Sequence, residues 1–516
     1  MICEIIRLII QSKSSICILF LCIPLMLSAF THFWNPTGFP ILYFDEGIYM
    51  RRAMHMLNYQ GPQEESTFYD HPYFGQLFLS GVFQIIGYPH LFVTAAGGDL
   101  KHMVEMLYFI PRILMGILAV VDTFLIYRIC EYCYNRRVAL ISSVFFAVMP
   151  STFMLRWILL DSIELTLVLL SISFAISAQN YKNNYKNGNK ISNLTMLSSG
   201  IFMGFAIFTK IPSFAMIPVV LFIICRQYHD KHIIRSLWLW FIPVILIPLI
   251  WPAYSISTGT LNFFTDGILW QTHRESQPLF NSIYVFFKND PILLVIGIAG
   301  IFFATIKKNF VPFLWAFPLM IFLYFIGYVS LYHLIPLIPS FCIAAAVLVE
   351  WLSNKISKKE IQKIPFPFII TLAICIVGLF STTMLITTNV NFAYFKAAAF
   401  VVQYLENINQ RDLYNNYNKV SVIGDAFYLW IPQYIFHLDH DYKIYYDKTP
   451  YKAERVLLIV DPGLIMAMSR NDLAAKQIQK IYDAPNKIRL ASFEQTENKD
   501  GKISIYEYKS NDTKIK

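Results

Sequence analysis

Two short stretches early in the chain hold side chains able to move protons and grip anions. Tyr43-Phe44-Asp45-Glu46-Gly47-Ile48-Tyr49 sets two carboxylates side by side, and Asp70-His71-Pro72-Tyr73 follows some 25 residues later. Further along come Arg156-Trp157-Ile158-Leu159-Leu160-Asp161, Lys210 in Thr209-Lys210-Ile211-Pro212, Trp270-Gln271-Thr272-His273-Arg274, and Tyr332-His333. A carboxylate pair accompanied by several cations suits chemistry on an anionic group. One carboxylate takes a proton, and the cations meet the charge that develops elsewhere.

These residues need a scaffold, and composition says it is a membrane one. Of 516 residues, 56% are hydrophobic and 15% charged, where soluble domains carry roughly 25% charged residues. Charge-poor stretches fall near 14–31, 107–129, 138–155, 161–178, 194–209, 211–225, 236–254, 290–306, 311–330, 334–352 and 366–388. Read as helices crossing the hydrocarbon core, they give an α-helical polytopic protein with about eleven spans. With the N-terminus inside, 17 Lys and Arg residues lie in cytoplasmic segments, against 8 outside up to residue 390. The positive-inside rule therefore predicts N-in and C-out. That layout puts Asp45, Glu46, His71, Arg156, Asp161, Lys210 and His333 on one face, the extracytoplasmic one.

The first outer segment, 32–106, is too long for a simple connector. It predicts a surface helix running on through Met50–Leu57 and an interfacial or re-entrant run at Leu77–Gly87. A second outer loop, 255–289, carries His273 and Arg274, and its Trp270–Arg274 stretch could close over a substrate. Residues 1–390 thus form a transmembrane catalytic domain.

Residues 391–516 change in texture, with about 25% charge. An apolar-faced helix at Tyr394–Glu406 precedes strand-like runs at Val420–Gly424, Lys443–Tyr446, Arg455–Asp461, Ile488–Phe493 and Ile503–Tyr508. They predict a small extracytoplasmic α/β domain, with a glycosylation sequon at Asn511-Asp512-Thr513 on the permissive face. All eight cysteines precede residue 390 and sit in spans or at cytoplasmic edges, so the exported parts have no disulfides. The lone Cys130-Glu131-Tyr132-Cys133 reads as packing, not as a zinc site. The net charge of +9 collects on the cytoplasmic segments, leaving the outer loops acidic. Nucleic acid is excluded as a partner.

The order of these motifs resembles the protein O-mannosyltransferases and the aminoarabinose and related lipid-linked-sugar transferases of the GT-C superfamily, over roughly residues 10–350. The likeness rests on Phe44-Asp45-Glu46, Asp70-His71-Pro72, Arg156 to Asp161, and Lys210. Mannosyltransferases usually continue H-P-P-L-G-K, whereas this chain has His71-Pro72-Tyr73-Phe74-Gly75-Gln76, which leaves sugar and acceptor open. The resemblance implies a polyprenyl- or dolichyl-phosphate sugar as donor and a hydroxyl of a protein, glycan or lipid as acceptor. A phosphate leaving group is a weak base, so one carboxylate base suffices, unlike the pair used by most glycosidases. On that footing Asp45 is the general base of an inverting displacement, and Glu46 a positioning residue or cation partner. Arg156 and Lys210 grip the donor phosphate. His71 and His333 add hydrogen bonds or help hold a divalent metal.

Plainer readings stand beside these. Arg156 and Asp161 could be an interfacial ion pair, Lys210 could snorkel at a span end, and His333 could be a packing residue. The rival function is a transporter or flippase for a lipid-linked or anionic substrate. Transporters tend to show repeats and midplane charges; here the charges gather at one surface and no repeat is visible.

Overall fold

The computed structural model describes residues 15–62, 70–91, 98–184, 188–227, 233–274, 277–357, 366–412, 419–445, 455–469, 473–494 and 502–509. The sequon at Asn511 lies outside the described residues. The membrane part is helical: α1 (Ser15–Phe33), α2 (Phe44–Leu57), α3 (Phe74–Ile85), α4 (Leu100–Cys133), α5 (Arg136–Val148), α6 (Leu160–Asn184), α7 (Gly188–Thr209), α8 (Ile217–Gln227), α9 (Ile233–Leu246), α10 (Ile250–Ser257), α11 (Leu261–Thr272), α12 (Leu279–Asn289), α13 (Pro291–Ile306), α14 (Val311–Ile326), α15 (Ile338–Ser357) and α16 (Phe366–Ile386). Short 3-10 turns at Pro150–Arg156, Ile211–Met216 and Leu331–Leu337 lead into α6, α8 and α15.

Six helical stretches among the described residues are long and apolar enough to cross a membrane, or eight if two bent pairs each count as one span. The bends are 67° after α5 and 117° between α12 and α13. Shorter apolar helices at Phe20–Phe33, Ile211–Arg226 and Val311–Ile326 coincide with the remaining three charge-poor stretches. All eleven stretches are therefore helical, while length and composition support six to eight crossings. Helix α3 is apolar but also short. Small residues bring the bundle together: a Cβ at Gly204 would sit 2.6 Å from the Pro243 carbonyl of α9, and one at Gly200 would strike the Trp240 carbonyl. Such close backbone approach is how helices associate in lipid, where no hydrophobic force drives them together.

Helix α17 (Phe392–Asp412) leads to β1 (Val420–Gly424), α18 (Ala426–Trp430), β2 (Asp441–Ile444), β3 (Arg455–Val460), α19 (Pro462–Met468), α20 (Leu473–Tyr482), β4 (Ile488–Phe493) and β5 (Ile503–Lys509). Strand order is β2-β1-β3-β5-β4. The first three strands are parallel, and β5 and β4 join antiparallel. The five strand-like runs of the sequence are these five strands, with β2 beginning two residues early. Alternate residues point to opposite faces. Ile423, Val456, Leu458 and Val460 pack under α19 and α20. Val422, Leu457, Ile459 and Ile505 instead join one continuous core with the membrane helices. The C-terminal domain is seated on the bundle, not hung from it.

Candidate active site

Helix α2 starts at Phe44, so both acids fall in its first turn, where the helix dipole favours negative charge. Glu46, at the third helical position, reaches back to accept the Tyr43 amide at 2.9 Å, one half of a capping box. Its oxygens also accept Arg112 Nε at 3.0 Å, Arg112 Nη2 at 2.8 Å and the Ile158 amide at 3.1 Å. Arg112 Nη1 in turn donates to the Pro36 and Pro40 carbonyls, both at 2.9 Å. Glu46 is a fully buried anchor whose cation is Arg112.

Asp45 lies one residue, about 100° of helix rotation, away from Glu46 and is half-buried. Burial raises its carboxyl above the ordinary value. A hydrogen bond from Tyr332 and the charges of Lys210 and Arg274 pull it back, and Asp70 adds to the rise. The Tyr332 ring also lies 5.0 Å from Lys210 Nζ and packs edge-on against Tyr43 at 5.4 Å. Tyr332 thus joins the loop before α15 to the start of α2.

Asp70 binds Arg52 of α2 at 2.7 Å, and His71 Nε2 lies 3.8 Å from it. Burial would push Asp70 up, but the charge and hydrogen bond of Arg52 oppose it, and the carboxyl is held below its usual range. His71 is driven down to about 3, by burial first and then by Lys210, Arg274 and Arg52 against the pull of Asp70. It is a neutral imidazole. His333 Nδ1 accepts the Ser330 amide at 2.9 Å, which places the proton of a neutral ring on Nε2.

Lys210 is buried and donates to both oxygens of Asp161 at 2.7 Å, so it neither snorkels nor stands alone. One turn along α6, Glu164 accepts the Ser213 hydroxyl at 2.6 Å. The Asp161 partner is therefore Lys210, not Arg156. Arg156 is buried and turned to the Trp34 and Asn35 carbonyls, at 2.5 and 3.0 Å. With Arg112, it braces the loop that delivers Asp45.

The 255–289 segment closes the arrangement. At the end of α11, Gln271 Nε2 donates to the Asp70 carbonyl at 3.0 Å. Beyond it, Gln277 pairs with Gly327 and Val329 at 2.9 Å. Arg274 hangs between these ties, 4.0 Å from the Trp270 ring centroid and 4.6 Å from that of Tyr328. Its Nε is buried with no hydrogen-bond partner among the described residues, while its charge reaches Asp45, Asp70, His71 and His333. His273, beside it, is exposed with Nδ1 on the Leu269 carbonyl at 2.8 Å.

The structure thus gathers Asp45, His71, His333, Lys210, Asp161 and Arg274, and leaves Arg156 and His273 outside the cluster. Sequence reasoning passed over Arg52, Asp70, Arg112, Glu164 and Tyr332 as site residues. Only Asp70, within the Asp-His-Pro motif, and Tyr332, beside His333, had a signal that could have found them. Among the described residues no group of three His, Cys, Asp or Glu side chains converges as metal ligands. Two histidines with no third ligand converging on them do not make a divalent-ion site among the described residues.

The family model for dolichyl-phosphate-mannose-protein mannosyltransferases matches residues 22–256. No curated protein sequence matches the chain significantly. Among solved structures, ArnT from Cupriavidus metallidurans bound to undecaprenyl phosphate is 14% identical with a TM-score of 0.52, covering 96% of this chain and 98% of its own. Apo ArnT gives 13% and 0.55, with 95% and 97% covered. Archaeal oligosaccharyltransferase AglB from Archaeoglobus fulgidus, in complex with an inhibitory peptide and a dolichol-phosphate, gives 13% and 0.54, covering 87% and 70%. The family match covers less than half of the chain, and the solved structures share its fold at 13–14% identity.

Proposed function

We infer that the chain is a membrane glycosyltransferase of the GT-C class using a lipid-linked sugar, a reading supported by the partial family match and the likeness of fold. It moves a sugar from a polyprenyl- or dolichyl-phosphate carrier to an acceptor hydroxyl at the extracytoplasmic face, the side to which the Lys and Arg distribution assigns the cluster. Asp45 takes the acceptor proton as the acceptor oxygen attacks the anomeric carbon. The bond from that carbon to the phosphate oxygen breaks on the opposite side, which inverts the configuration.

The departing lipid phosphate carries the charge that must be met. Arg274 supplies it, with a fork-shaped guanidinium whose Nε is unpartnered. Lys210 adds a second positive charge nearby, and the neutral His71 and the Nε2–H of His333 complete the polar lining. Arg156 donates to backbone carbonyls through Nη2 alone; its Nε and Nη1 have no hydrogen-bond partner among the described residues, so it stands as a further cation for the phosphate.

One observation carries this reading. Of two adjacent acids, Glu46 is saturated by Arg112, while Asp45 keeps a raised carboxyl within the field of Lys210 and Arg274. Purified protein given radiolabelled polyprenyl-phosphate sugar and a membrane or protein extract should transfer label. Asp45→Asn should abolish transfer in a folded protein. Transport of intact donor across a vesicle, unaffected by Asp45→Asn, would overturn the reading in favour of a transporter.

A further inference from the structure

The two residues that flank the acid pair both touch the C-terminal domain. Phe44 packs against Tyr445, at the end of β2, with ring centroids 5.4 Å apart. Gly47 lies against α18 so closely that a Cβ there would strike the Phe427 amide nitrogen and the Ala426 carbonyl carbon. Helices α2 and α18 therefore meet backbone to backbone, which only glycine permits.

A third element locks the pair. Tyr108 of α4 is buried, donates to the Phe427 carbonyl at 2.9 Å and accepts Trp430 Nε1 at 2.8 Å. One turn further along α4, Arg112 grips Glu46. The same stretch of α4 thus holds α18 with one side chain and the first turn of α2 with the next. Rotation of α2 about its axis would break the Arg112 pair on one side and collide with α18 on the other.

We propose that the C-terminal domain is a positioning element of the transfer reaction, fixing the aim of Asp45 through Gly47 and Tyr108. The proposal rests on the reading of Asp45 as base. Neither positioning residue touches the substrate. They set the rotation of α2, and with it the direction of a carboxylate that must meet the acceptor proton. Misplacement of a reacting group by about 1 Å costs on the order of 100-fold in rate, so a small slip of α2 is enough to be read.

The test uses the full chain in lipid nanodiscs, with undecaprenyl phosphate as binding probe and label transfer as the kinetic readout. Tyr108→Phe removes one hydroxyl and keeps the ring; Gly47→Ala forces α2 and α18 apart. Both should lower kcat about tenfold or more per folded molecule, with the donor KM and undecaprenyl phosphate affinity within about twofold of wild type. A merely structural role would lower melting temperature and yield and leave kcat per folded molecule unchanged. If Gly47→Ala does not fold, Tyr108→Phe decides alone. Normal kcat in the variants that fold, with Asp45→Asn inactive, overturns the positioning proposal and leaves the base intact. Activity in Asp45→Asn overturns both.

Discussion

Arg112 holds both oxygens of Glu46, and neither side chain has any exposure to solvent. Breaking such a buried pair leaves an uncompensated charge, which costs about 3–5 kcal/mol. Glu46→Gln and Arg112→Met should each lower the melting temperature and the yield of folded protein. Asp45→Asn, which leaves this pair untouched, should melt at or above the wild-type temperature and transfer no sugar. Thermal unfolding and label transfer on the same preparations separate the two acids.

The rate should fall on the acid side. Asp45 acts as base only when ionised, and burial raises its carboxyl above the ordinary 3.8. As pH drops through that raised value Asp45 gains a proton and kcat declines, so the acid limb lies on the high side of an ordinary aspartate's. His71, held near 3, stays neutral throughout and contributes no limb near pH 6.5. A kcat–pH profile of His71→Gln should keep the wild-type acid limb even if its plateau is lower.

Arg274 has an unpartnered, buried Nε among the described residues and its charge reaches Asp45, and its loss should fall on the donor. A charge-assisted hydrogen bond contributes about 1.5–3 kcal/mol, so Arg274→Ala should raise the donor KM by roughly 10- to 100-fold. Arg274→Lys keeps the charge and loses the fork, and should recover only part of that. Titration with undecaprenyl phosphate measures the same loss directly.

Lys210 and Asp161 are mutual partners before any ligand arrives. Asp161→Ala should destabilise by about 3–5 kcal/mol through the unpaired buried ammonium. The double variant Asp161→Ala/Lys210→Met should recover much of that stability and none of the activity. Comparing melting temperature with transfer rate across the single and double variants tests both parts.

Stability of the C-terminal domain should also respond to pH. Asp461 caps α19, accepting the Leu464 amide at 2.8 Å, and burial raises its carboxyl to about 6. The native state therefore binds this proton more tightly than the unfolded chain does. Its contribution to stability is full below about pH 4 and is lost as pH rises through 6. Asp461→Asn keeps the cap and removes that share, so its melting temperature should vary less than wild type between pH 5 and 8.

Much of this protein is legible in its sequence because the bilayer is a severe solvent. Unpaired backbone is too costly in hydrocarbon, so charge-poor stretches become helices, and all eleven did. In the C-terminal part, runs of β-branched and aromatic residues mark the strands for the same local reason. Asp45, Glu46 and His71 were legible as candidates too, since they lie in compact motifs.

Partner choice was not legible, because a charged side chain pairs with whatever the fold brings within about 3 Å. Arg156 and Asp161 sit five residues apart, yet Asp161 took Lys210, 49 residues away, and Glu46 took Arg112, 66 away. Arg274 reached the cluster only because Gln271 and Gln277 tie its loop to Asp70 and to the strand-like stretch before Tyr332. The carboxylates and cations that opened the sequence reading were set by amino-acid type and local spacing. Tertiary structure alone decided their partners, burying Glu46 against Arg112 and leaving Asp45 beside Tyr332.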